Sequence, residues 1–236
     1  MDKGKSIIVA AAIAAVGLLL LGLSLKAGID NFVNKDRVVT VKGLAEMQVD
    51  ADKVTWPIVT RETGNDIQAL YNTVNQKNAS VIAFLKQNGL TDAEININPV
   101  EVDDRSMNEY ANERITYRYR AKSVITVISD KVDKVREIIA KQGDLLERGI
   151  VIDGGEMGSG IYYEYSSFAS IKGQMLEQAI ANAQKTAEQF AAASGSDLGK
   201  IVKADQGQFS IDDLDSNTPY KKSLRVVTTI TYRLSD

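Results

Sequence analysis

Three hydrophobic patterns follow one another along the chain. The first has no period: from Ile7 to Leu25 the residues IIVAAAIAAVGLLLLGLSL pass without a charge, bounded by Lys5 and Lys26. As a helix at about 1.5 Å per residue this run reaches roughly 29 Å, close to the hydrocarbon thickness of a bilayer. A cleaved signal peptide shares the basic start and apolar core. The cleavage-like sites are poor, because Gly22-Leu23-Ser24 lies inside the run and Leu25-Lys26-Ala27 has Leu where a small residue is preferred. The pattern predicts a short leader over 1–6 and a retained transmembrane anchor over 7–25. A juxtamembrane linker over 26–37 and a soluble domain over 38–236 follow, with signal cleavage as the alternative. Lys26 to Asp36 spans at most about 36 Å when extended, so the domain is held near the membrane surface.

The second pattern has period two. Val39 and Val41 alternate with Thr40 and Lys42, and Val54, Trp56 and Ile58 with Thr55 and Pro57, predicting two strands joined around Gly43 to Lys53. Pro57 donates no ladder hydrogen bond, which puts its strand at an edge or on a bulge. Ile95 to Val102, interrupted near Pro99, and Ile115 to Ile128 continue the pattern. Short strands are expected at Ile150–Ile152 and Ile161–Tyr165, another from Ile201, and a last one over Leu224–Leu234.

The third pattern has the helical period. Asn65-Asp66-Ile67-Gln68 has cap spacing, with Ile67, Leu70, Val74, Val81, Ile82 and Leu85 behind it on one face and Asn88-Gly89 as the stop. Asp130 is expected to cap a helix carrying Val132, Val135, Ile138 and Ile139 and ending at Gly143. A longer helix from about Ser170 sets Leu176, Ile180, Ala183, Ala187 and Phe190 on its packed face, Glu177, Gln184, Lys185 and Glu188 opposite, and closes at Gly195 and Gly199. Asp103 to Arg114 and Gln206 to Lys222 are polar and read as exposed loops. The order β-β-α-β-β-α-β-α-β-β predicts an α+β fold, largely antiparallel sheet covered by long helices.

Composition narrows the chemistry. At 44% hydrophobic and 25% charged the chain is long enough and apolar enough for a real core. The 28 Lys and Arg against 31 Asp and Glu leave a net charge of −3, and no general electrostatic attraction for nucleic acid. Without His or Cys the chain lacks the commonest general base, the thiolate nucleophile, the disulfide and the usual zinc and haem ligands.

The motifs that remain read as structure. The loop DGGEMGSG, Asp153 to Gly160, precedes a strand rather than a helix and has no Lys, so it does not cradle a phosphate. DDLDSN, Asp212 to Asn217, lacks the Gly and distant Glu of a calcium loop. Asp103-Asp104 with Glu109 and Glu113 reads the same way. TYRYR, Thr116 to Arg120, predicts tyrosines on one strand face and arginines on the other, and Tyr162, Tyr163 and Tyr165 predict ring packing. No Ser, Lys or carboxylate carries a partner at nucleophile-and-base spacing, so catalytic, cofactor and metal residues are each expected to be none.

Four segments, in this order and spacing, carry a resemblance: VTVKGLAEMQVDADKV, FLKQNGLTDAEI, YRAKSVITVISDKVDKVREII, and NAQKTAEQFAAASGSDLGKI followed by VTTITYRL. Together they resemble the SIMPL-domain (DUF541) family from Val38 to Leu234. The chain departs from that pattern at Gly43-Leu44-Ala45, where the family often has G-x-G-x, and at Ala51-Asp52, where it often has Pro-Asp; the former puts the geometry of a first turn there in question. The resemblance implies a bacterial cell-envelope protein, its amino terminus cytoplasmic and its domain periplasmic, with ring- or channel-like homo-oligomers and an association with oxidative or envelope stress. The expected function is a non-enzymatic, membrane-anchored protein that assembles with itself and touches the bilayer through residues 7–25. A periplasmic binding module for a small ligand or an envelope protein is the alternative.

Overall fold

The computed structural model describes residues 3–33, 37–107, 116–154 and 160–235. Glu109, Glu113 and the centre of the glycine-rich loop lie outside the described residues. The first helix, α1 (Lys3–Val33), is continuous over 31 residues and runs on into the segment expected as a linker. Its side chains are described from Ala12 to Lys26 and at Gly28 and Ile29, so the uncharged run begins before them. Among the described residues no helix is long and apolar enough to cross a membrane.

The chain divides into two compact units, one of residues 1–47, 171–210 and 224–236, the other of 48–170 and 211–223. The first holds most of β1 (Val38–Asp50), α5 (Phe168–Ala193), β7 (Asp197–Asp213) and β8 (Lys221–Ser235). The three strands form a sheet in the order β1-β8-β7. A backbone bond from Leu234 to Arg37, the Thr40–Thr231 hydroxyl pair and the Glu46–Arg225 ion pair run in opposite directions along β1 and β8, so that pairing is antiparallel. Val39, Val41 and Ala45 on β1 and Leu224, Val226, Ile230, Tyr232 and Leu234 on β8 are buried at alternate positions, the period-two signature of a sheet with one covered face.

The cover is α5, and its packed face differs from the one expected. Met175, Ala179, Ala183, Ala187 and Ala191 are buried, whereas Ile180 is 37% and Phe190 54% exposed. The cause sits on β1. A Cβ on Gly43 would lie 1.9 Å from the carbonyl oxygen of Ala179 and 2.8 Å from the Cβ of Ala183, so the helix backbone lies directly on the strand. Only small side chains fit such a seam: Ala183 and Ala187 pack as expected, while Ala179 and Ala191 are buried where the larger Ile180 and Phe190 were expected. Gly43 is therefore no turn residue. β1 runs straight through it, and the turn falls at Ala51-Asp52.

The second unit is built on β2 (Lys53–Gly64), β5 (Tyr119–Ser129), β3 (Ile95–Ile97), β4 (Glu101–Asp104) and β6 (Tyr162–Glu164). The order is β3-β5-β2-β6, with β4 also on β5, and every pairing is antiparallel. β2 and β5 pair without interruption from Val54↔Ser129 to Gly64↔Tyr119. β6 meets β2 only at Lys53 to Thr55, so Pro57 lies where that side of β2 has no partner strand. The carbonyl of Val59 leaves β5 to accept from the N–H of Asp153. By the alternation of an antiparallel strand, Pro57 directs its missing donor to that same side.

Helices α2 (Ile67–Gln87), α3 (Val132–Ala140) and α4 (Gly143–Glu147) cover this sheet. Val54, Trp56, Ile58, Val81, Phe84, Leu85, Ile125, Val127, Val135, Ile138, Leu145 and Ile150 form one core. On α2 the expected Leu70, Val74, Val81 and Leu85 are buried, joined by Phe84 and Asn78. Ile67 is instead 48% exposed, because it sits in the first turn, beyond the end of the core.

Several boundaries move. The cap of α2 is Asp66, which accepts from the N–H of Ala69, while Asn65 accepts from the N–H of Arg118. α3 is capped by Lys131 rather than Asp130 and has no side-chain cap; its turn is held by Ser129, whose Oγ accepts from the N–H of Lys131. Gly143 opens α4 instead of ending α3. Residues 150–152 form no strand, yet Ile150 is fully buried in the core. Most of Gln206–Lys222 is strand, since β7 extends to Asp213 and β8 starts at Lys221. An edge strand exposed on both faces carries no alternation, so its polarity read as loop.

Candidate functional site

Two grooves of the second unit combine an apolar wall with polar groups. The first, of about 450 Å³, lies at the start of α2 and is lined by Ile67, Gln68, Leu70, Tyr71, Asn72, Val102 and Ala121. Its floor is the small cluster of Leu70, Val74 and Ala121. Ala121 and its partner Val102 share the sheet face that α2 covers, whereas Arg120 opposite Asp103 and Lys122 opposite Glu101 point the other way. There a shallower groove of about 220 Å³ gathers Arg61, Arg120, Lys122, Glu101 and Asp103. Two of its cations are paired, Arg61 with Asp153 at 2.9 Å and Lys122 with Glu101 at 3.9 Å.

The second groove, of about 480 Å³, is walled by Ile139, Ala140, Ile161, Tyr163, Asn217, Pro219, Tyr220 and Arg136. α3 places Arg136 at the flank of its buried stripe of Val132, Val135 and Ile138, one helical turn from Val132 and half-buried. The guanidinium carbon lies 3.5 Å from the centre of the Tyr220 ring, and Nη1 donates to Asp133 at 3.0 Å. Tyr163 meets Tyr220 edge to face, with centroids 6.1 Å apart. Burial pushes the Tyr163 phenol up from its ordinary value, against the pull of the Arg136 charge. The wall of this groove is fixed from behind. The Tyr220 carbonyl accepts from the N–H of Ala51 at 2.7 Å, and the carboxylate of Asp215 accepts from the N–H groups of Asn217 and Thr218.

Three other carboxylates are held ionised by their neighbours. Asp52 loses some stabilisation to burial, but the Ser166 and Ser167 N–H groups and hydroxyls donate to it and take it down to about 2. Glu94 accepts from the Ser129 hydroxyl at 2.6 Å and from the N–H of Thr91, with Lys131 alongside, and lies at about 2. Asp104 takes a forked contact from Arg118 and is held well below the usual carboxylate range. Each is a brace between segments rather than a poised acid or base.

The segments singled out in the sequence scatter over these features. The acidic run Asp212–Asn217 is spent on its own hairpin, with Asp213 bound to Lys222 and Asp215 to the turn N–H groups and Thr218. Among the described residues no three Asp or Glu gather as metal ligands. TYRYR enters β5 only at Tyr119; Arg118 lies 4.9 Å over the Tyr119 ring and Arg120 opposite Asp103. Of the three tyrosines, Tyr163 packs against the core while Tyr162 is half exposed. Among the described residues the two polar loops line different grooves, Asp103 the one beside β4 and Asn217, Pro219 and Tyr220 the one at α3. Arg136 escaped the sequence reading because its role depends on Tyr220, 84 positions later.

Antiparallel sheets covered by helices, with Asp52, Glu94 and Asp104 tied to neighbouring segments, define an α+β protein. The model of the SIMPL family, a protein family of unknown function (DUF541), matches residues 39–230, and the chain belongs to that family. No curated protein matches it.

Proposed function

We propose that this chain is a non-enzymatic envelope protein, anchored in the inner membrane by its first helix and assembled through its folded part into a ring- or channel-like homo-oligomer. The observation that carries assembly is β7. It is 17 residues long, lies at the end of the strand order, and exposes Ile201 and Val202, each 53% accessible. Long exposed edge strands invite pairing with another chain. The sheet has a second edge at β1, so β7 of one copy can add to β1 of the next. Such a head-to-tail contact closes a ring when the rotation per copy allows it. Confinement to a plane favours it by raising the effective concentration of the domains.

The anchor rests on α1, whose described apolar side chains from Ile13 to Ile29 are all exposed and whose uncharged run fits a bilayer. The amino terminus is then cytoplasmic and the folded part periplasmic, where a contribution to oxidative or envelope stress tolerance is exercised. Mass measurement of the detergent-solubilised chain tests assembly; a monomer at high concentration sinks it. A second reading, a binding module for a small ligand or an envelope partner, is favoured by the two apolar grooves of the second unit, both within the size range of ligand sites.

A further inference from the structure

The groove at α3 has a property the cleft at α2 lacks, a single cation set in an apolar wall. Arg136 has five N–H donors. Asp133 receives one of them and is itself almost fully exposed, so its competing charge is screened by water. The Tyr220 ring holds the guanidinium flat from one side at 3.5 Å, which orients the remaining donors without consuming them. Around it lie Ile139, Ala140, Ile161 and Pro219, with the Asn217 amide as a neutral polar group.

This is the complement of a particular kind of molecule. A planar fork beside an aliphatic and aromatic wall matches a carboxylate on an apolar body, because the two oxygens take parallel N–H bonds while the body leaves water. One cation selects one negative charge. We propose that the groove binds a small apolar monocarboxylate, its carboxylate on the Arg136 guanidinium and its body against Ile139, Ile161 and the Tyr163 ring. The proposal rests on the ligand-binding reading and goes beyond it by naming the ligand class. The Tyr163 hydroxyl, kept protonated by burial, supplies a further donor. The site needs no adjustment to form, since its turn and strand are already fixed by the Asp215 and Ala51 hydrogen bonds.

The test uses the full chain in nanodiscs of zwitterionic lipid, with empty nanodiscs as blank. Calorimetric titration compares 2-naphthoate with 2-naphthylmethanol, the same body without the charge. The acid is expected to bind at least about tenfold more tightly, the worth of a charge-assisted forked bond. Arg136→Met lowers acid binding to the level of the alcohol, and Arg136→Lys, which keeps charge but not the fork, restores it in part. Equal binding of acid and alcohol by the unaltered protein, or acid binding unchanged in Arg136→Met, overturns the carboxylate assignment while leaving a ligand groove. Binding of neither compound removes the ligand-binding reading of this groove as well.

Discussion

At the scale of single residues, the glycines and carboxylates divide into those that touch the fold and those that do not. Gly43 has no room: any side chain meets the backbone of α5. Gly43→Ala is expected to cost about 3 kcal/mol or more, the upper end of overpacking, read as a lowered midpoint in urea unfolding. Gly143, with nothing within 4 Å and an ordinary φ, is the control, and Gly143→Ala should leave the midpoint nearly unchanged. Asp52 and Glu94 bear on pH. Both fall from unfolded values near 4 to about 2 in the folded chain. A depressed carboxylate contributes stability that is complete above its unfolded value and lost as pH falls through its folded one. Melting temperature should therefore drop between about pH 4.5 and pH 2. Asp52→Asn should flatten part of that drop and cost about 1 kcal/mol at neutral pH, the size of a lost helix cap.

At the scale of elements, α5 shows how far a sequence pattern reaches. Its period was legible, because apolar residues recur every three or four positions from Leu176 to Phe190. Its face was legible only in part: Ala183 and Ala187 pack as expected, but the approach of Gly43 buries Ala179 and Ala191 beside them and leaves Ile180 and Phe190 outside. Ala179→Leu is accordingly expected to destabilise by about 1–3 kcal/mol, while Phe190→Gln stays within roughly 0.5 kcal/mol; paired chemical denaturation curves decide. The opposite result would mean that the packed row is the one hydrophobicity suggested. β2 was read more fully. Through the donor it lacks, Pro57 announced a side without a ladder partner, and β6 does stop short of it at Thr55, although β2 itself lies inside the strand order and carries no bulge. Arg136 lies at the other extreme: its neighbours Asp133 and Glu137 mark only a solvated helix, and the ring that gives it a role belongs to a distant hairpin.

At the scale of the whole molecule, the open edge of β7 and the apolar helix α1 make separate predictions. Ile201→Lys with Val202→Lys should shift the detergent-solubilised chain from oligomer to monomer in light-scattering mass measurements, with the melting temperature held. An oligomer that survives both charges removes β7 from the contact. Deleting residues 1–33 should release the protein from membranes that retain the full chain through alkaline extraction; release of the full chain as well would remove the anchor. The amino acid order alone determined what depends on neighbours along the chain: the apolar leader, the strand and helix periods, the helix stop at Asn88-Gly89, the absence of His and Cys chemistry, and the family. Only the tertiary structure decided which helix row is buried, where the first turn falls, that a polar stretch is an edge strand, and that an arginine and two tyrosines share a groove. Those outcomes depend on backbone approach and on contacts between residues far apart in sequence, which a one-dimensional period cannot encode.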